Sequence, residues 1–143
     1  MEREEGADII EKVIDVNVPA QIAYKQWREF EGLPRFMWGV ESVKETGEGI
    51  HWVANVQGNR REWIAQITEQ IHNQYLAWYS DEWTFGVQVS FDQVEPNRTR
   101  VTFRASGGHG TGGGWPKAFS RVLAASLESF KGHVESLGYE LGA

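Results

Sequence analysis

Proton-transfer chemistry needs an acid and a base within reach of each other, and metal chemistry needs several ligands at short, repeated spacing. The chain has four histidines, His51, His72, His109 and His133, and none falls in a paired spacing such as H-E-x-x-H, so no metal site is expected. There is no cysteine, which removes thiolate nucleophiles, cysteine-ligated zinc and disulfides together. A G-x-S-x-G elbow for acyl transfer is also missing. For general acid–base work there remain Tyr24, Glu62, Tyr79, Asp81 and His109, which are candidates by position alone. His109 is singled out among the histidines because it lies in a loop, residues 107–114, with six glycines in eight positions. Within it, Gly108-His109-Gly110-Thr111-Gly112-Gly113 satisfies G-x-G-x-x-G. A dinucleotide site also requires a parallel βαβ unit with an acidic residue at the next strand, and only one helix pattern follows here. The loop therefore reads as a flexible rim or as plain slack, and no cofactor is expected.

The residues better suited to recognition are aromatic. Trp52, Trp63 and Trp78 occupy the same parity of three period-2 runs, Ile50 to Val56, Trp63 to Ile67 and Leu76 to Trp78. Phe85 to Phe91 and Val101 to Ala105 continue that parity, adding Phe91 and Phe103. The alternate positions, Glu62, Gln66, Gln88, Asp92, Arg100 and Arg104, are polar. Turn signals at Gly47-Glu48-Gly49, Gly58-Asn59, His72-Asn73, Ser80-Asp81 and Pro96-Asn97 make this an antiparallel meander with one dry face, on which the tryptophan rings converge.

Other elements must position that face. Ile10, Ile14, Val16 and Val18 predict a strand over residues 9–18, and Pro19 opens a helix over 19–30 carrying Ile22, Ala23, Trp27 and Phe30. Leu33, Phe36, Met37 and Trp38 crowd a segment with room for a turn or two, which must cover something apolar. After the glycine loop, Pro116 opens a helix of roughly 20 residues. Its stripe is Phe119, Leu123, Phe130, Val134 and Leu137, widened by Val122 and Leu127, with Gly138 as the stop. A long helix over one dry sheet face is a two-layer α+β domain.

The order of elements, with Leu33-Pro34-Arg35-Phe36-Met37, His51-Trp52, Arg60-Arg61-Glu62-Trp63, Ala65-Gln66-Ile67-Thr68-Glu69-Gln70 and Ala77-Trp78, resembles the bacterial polyketide cyclase/dehydrase group of the START-like, helix-grip (SRPBCC) superfamily. That group is similar to coenzyme-Q-binding and lipid-transfer proteins. The resemblance spans about Ile10 to Leu137 and implies a curved seven-stranded antiparallel sheet wrapped around the C-terminal helix, with two short helices between strands 1 and 2. It also implies a cavity between sheet and helix. Its expected wall is Trp52, Trp63, Trp78, Phe91 and Phe103, with Phe119 and Leu123 from the helix and Phe36 from the covering segment. Leu33 to Trp38 reads as a lid or as a plain hydrophobic plug, and Arg35 either anchors a polar head group or is solvated or paired with a nearby glutamate. The glycine-rich connection departs from the more varied, acidic one usual in the group.

At 143 residues the chain fits one domain, taken as residues 9–140 behind a charged tail at 1–8. A net charge of -6 without a basic cluster argues against nucleic acid. No apolar run approaches a membrane span, and no secretory signal is evident, so a cytoplasmic chain is expected. The leading expectation is binding or transport of a hydrophobic small molecule, a lipid, quinone or polyketide, by a monomer or weak homodimer. A cyclase or dehydratase is the alternative, since aldol cyclisation and dehydration need an acid and a base in the cavity. A protein-interaction role for residues 33–38 is the third.

Overall fold

Period-2 alternation in the strands and a 3.6-residue repeat in the helices put most of the large apolar side chains on two facing surfaces. In the computed structural model, which describes residues 9–56, 58–81, 84–107 and 117–142, these surfaces are a seven-stranded antiparallel sheet and the helices laid across it. The strands are β1 (Ile9–Val16), β2 (Val40–Thr46), β3 (Gly49–Val56), β4 (Asn59–Ile71), β5 (Tyr75–Ser80), β6 (Phe85–Glu95) and β7 (Arg98–Gly107). Their spatial order is β1-β7-β6-β5-β4-β3-β2, a meander from β2 to β7 with β1 added beside β7. Helix α1 (Ala20–Arg28) and a 3-10 helix (Phe30–Arg35) fill the connection from β1 to β2, and α2 (Lys117–Gly142) ends the chain. This is the helix-grip arrangement.

The register keeps one parity dry across the whole sheet. Ile67 pairs with Trp78, Trp78 with Val87, Val87 with Ala105 and Ala105 with Ile10. Irregularities between Val40 and Ser42, Ile67 and Glu69, and Gln93 and Glu95 bend the strands. The second reverses the parity of β4. Past it Gln70 pairs with Leu76, while Ile71 turns to the wet face and is 44% exposed.

Three boundaries differ from the sequence expectation. Pro19 caps α1 from outside in extended backbone, and α1 stops at Arg28, so Phe30 begins the 3-10 helix instead of ending α1. That helix spans 30–35 and tolerates Pro34 because its ladder is only a turn or two long. Helix α2 runs 26 residues, through Gly138, since an interior glycine costs only about 1 kcal/mol against the packing of an apolar stripe.

The core is aromatic and spans both layers. Trp27 of α1, fully buried, meets Phe36, Phe103 and Phe130 at ring-centroid distances of 5.5, 5.8 and 5.6 Å. Leu123, Leu127, Phe130 and Val134 bury the stripe of α2 in the same cluster. Polar ties fix the helix along the sheet: Lys131 Nζ donates to the Asp15 carbonyl at 2.8 Å and to Glu135 Oε2 at 2.7 Å, and the Asn17 N–H reaches Glu135 Oε2 at 2.8 Å.

Candidate functional site

Sheet register brings the tryptophans together. Trp52 of β3 pairs directly with Trp63 of β4, and Trp78 of β5 stands opposite Ile67 further along β4. The rings of Trp52 and Trp63 stack with centroids 5.9 Å apart and 2° between planes. Trp52 and Trp78 stack at 5.7 Å and 19°. Phe30 stands edge-on to Trp52 and Trp78, at 6.3 and 5.2 Å.

Between this stack and α2 lies a cavity of about 80 Å³. Trp52, Trp63, Trp78 and Phe103 wall it with Ala54, Phe85 and Val87; α2 contributes Val122, Leu123 and Ser126, and residues Met37 to Val40 line it from the covering segment. Small-molecule pockets usually hold about 300–1,000 Å³, so this cavity is well below the usual size. No lining side chain among the described residues is titratable. The Ser126 hydroxyl is already engaged, accepting from the Trp38 N–H at 2.8 Å and donating to the Val122 carbonyl at 2.8 Å. The indole nitrogens of Trp52 and Trp63 are buried and have no hydrogen-bond partner among the described residues.

Five of the residues expected at the wall line this cavity: Trp52, Trp63, Trp78, Phe103 and Leu123. Phe91 does not, because its strand position carries it under α1, where its ring meets Tyr24 at 5.6 Å. Phe36 is buried one layer away, between Trp27, Phe130 and His133. Arg35 points elsewhere too, with its Nε donating to the Gly32 carbonyl at 3.2 Å. It borders an open groove of about 710 Å³ outside the core, shared with Lys25, Arg28, Glu29, His72 and Leu137. The Phe119 side chain and His109 lie outside the described residues, as does the glycine loop beyond Gly107. Trp38 is 60% exposed, so it lines the cavity without being a buried plug.

None of the described acid–base candidates lines the cavity. Glu62 lies on the wet face, bonded to Arg60 at 2.8 Å, and Tyr79 and Asp81 are exposed there and in the following turn. Tyr24 is buried beneath the outer groove, against His72 and Phe91, and loss of solvent pushes its pKa up. Its hydroxyl therefore stays protonated at neutral pH. Ser126 was not singled out in the sequence; the one signal is its place between Leu123 and Phe130 on the apolar stripe. Among the described residues no group of acidic and histidine side chains is arranged to hold a metal ion, and no helix is long and apolar enough to cross a membrane.

The chain is similar in sequence and in fold to known proteins. Residues 16–131 match the family described as polyketide cyclase / dehydrase and lipid transport. The chain belongs to this family. An uncharacterized 17.2 kDa protein of Streptomyces lincolnensis is 34% identical over 141 residues, covering 93% of each chain. Among solved structures, a START superfamily protein of Mycobacterium smegmatis superposes with a TM-score of 0.71 at 12% identity, over 94% of this chain and 99% of that one. The Zhui aromatase/cyclase of a Streptomyces species gives 0.72 at 16% identity, over 89% of this chain and 93% of that one. At such identities the two structures establish a common fold.

Proposed function

We propose that this family member binds an uncharged, largely apolar small molecule in the cavity between the tryptophan stack and α2, as a carrier or receptor and not as a catalyst. The observation that carries this reading is the wall itself. Among the described residues it is aromatic and aliphatic, and its one hydroxyl is committed to the backbone on both sides. Apolar surface of this kind favours an apolar guest and offers no group to take or give a proton. The cyclase reading draws support from the family description, but it needs an acid–base pair at the cavity, and the described wall has none.

Because about 80 Å³ is too small for a drug-sized ligand, binding on this reading includes displacement of Met37 and Trp38, the wall segment that is least buried. Native mass spectrometry of the purified protein and of its organic extract is expected to show a neutral co-purified compound, and Nile red is expected to gain fluorescence on binding. Leu123→Trp, which fills the space from α2, should abolish that gain. Undiminished Nile red uptake by a folded Leu123→Trp variant would remove the cavity from consideration.

A further inference from the structure

Buried hydrogen-bonding groups without partners are uncommon in folded proteins, because each keeps the penalty of leaving water. Two of them occur here as direct neighbours. Trp52, only 4% exposed, and its strand partner Trp63 both line the cavity, and neither indole N–H has an acceptor among the described residues. An indole nitrogen donates and cannot accept, so whatever satisfies the pair must bring a lone pair. No described side chain of the wall accepts from either, and the Ser126 oxygen takes its bond from the Trp38 N–H.

Resting on the binding role proposed above, we infer that Trp52 and Trp63 are the polar handle of the cavity, donating to an acceptor oxygen on a flat, uncharged ligand such as an aryl ketone, ester or ether. Flatness follows from the near-parallel faces of Trp52, Trp63 and Trp78, which suit a ring inserted along the stack. Neutrality follows from the described wall, which has no counter-charge for a buried ion. A plain hydrocarbon chain fills the same volume but leaves both donors unpaired, so it is the poorer ligand.

The test uses the full chain, labelled with nitrogen-15, and two probes of one shape: acetophenone, and α-methylstyrene, in which a C=CH₂ group replaces the carbonyl. Among the seven tryptophan indole N–H resonances, those of Trp52 and Trp63, assigned through Trp52→Phe and Trp63→Phe, should move downfield in the proton dimension with acetophenone only. The indole N–H of Trp27 also lacks a partner but is not part of the cavity wall, so it serves as the internal control and should not follow. Either phenylalanine variant should lower the affinity for acetophenone relative to that for α-methylstyrene about tenfold. If both probes perturb the cavity residues and no indole proton moves downfield, the donor role is overturned and cavity binding stands. If neither probe perturbs residues such as Val87 and Leu123, both the binding role and the donor role fall. Should the variants not fold, the comparison of the two probes on the wild-type chain decides alone.

Discussion

His133 sits where α2 meets α1 and the 3-10 helix, and its titration is expected to set a pH limit on that joint. Its Nε2 lies 3.3 Å from Gln26 Oε1 of α1, and its ring centroid lies 5.9 Å from that of Phe36. Burial, and then the Arg35 charge, hold its pKa below the ordinary histidine value. The facing groups are the cationic Arg35 on the 3-10 helix and the neutral Gln26 on α1; one turn away on its own helix stand Ser129, Phe130, Ser136 and Leu137, none charged. The folded state thus binds fewer protons than the unfolded chain near pH 6.5, so the associated stability is complete above about pH 6.5 and is lost as pH falls through the folded value. Melting temperature should therefore decline from pH 7.5 to 5.5 and should be flatter in His133→Gln; equal slopes for the two proteins would refute the assignment. Asp15, lowered mainly by its bond to Arg100, and Glu135, where bonds from Lys131 and the Asn17 N–H outweigh burial, act in a lower window, losing their contribution as pH falls below the ordinary carboxylate range. Little of this was legible beforehand. Trp52, Trp63 and Trp78 could be grouped because strand parity is a property of consecutive residues, whereas the roles of His133 and Ser126 depend on how α2 is rotated against distant elements.

Among the elements, the covering segment has a fastening of its own. Met37 and Trp38 follow a buried anchor, Phe36, and precede Gly39, whose φ of 88° belongs to the left-handed region. Between these points the Trp38 N–H bonds to Ser126 Oγ. Ser126→Ala removes that acceptor at an expected cost of about 1–2 kcal/mol. Hydrogen exchange at the Trp38 amide should quicken, and Nile red should bind and leave faster with little change in affinity; unchanged exchange would show that packing alone holds the segment. At the other rim, Gly107 closes β7 at a φ of 87°, and a Cβ there would run into the Thr84 carbonyl. Gly107→Ala is expected to lower stability by roughly 1–3 kcal/mol, measured by urea unfolding. Strands and the long helix could be read from periodicity, but the β4 irregularity could not. An extra residue that exchanges Gln70 for Ile71 on the dry side leaves the same local alternation on both sides of it.

For the molecule as a whole, the decisive contrast is between Trp27, which joins the layers, and Trp63, which borders the cavity. Trp27 is wholly buried and touches aromatic rings from the covering segment, the sheet and α2. Trp27→Ala should cost roughly 3–5 kcal/mol, a large part of the 5–15 kcal/mol typical of a folded domain, and should shift the urea midpoint without changing the slope. Trp63 is only partly buried and packs against the core from its edge. Its loss opens space continuous with the cavity and not a sealed void, so Trp63→Ala should destabilise less than Trp27→Ala. The same change should admit larger guests, since the ring that limits the volume is gone. Thermal unfolding of both variants with and without Nile red separates the two roles. The expected outcome is a probe-dependent rise in melting temperature that grows in Trp63→Ala, where the filled space belongs to the ligand. In Trp27→Ala a loss of stability that the probe does not restore is expected, because that ring holds the two layers together whether or not the cavity is occupied.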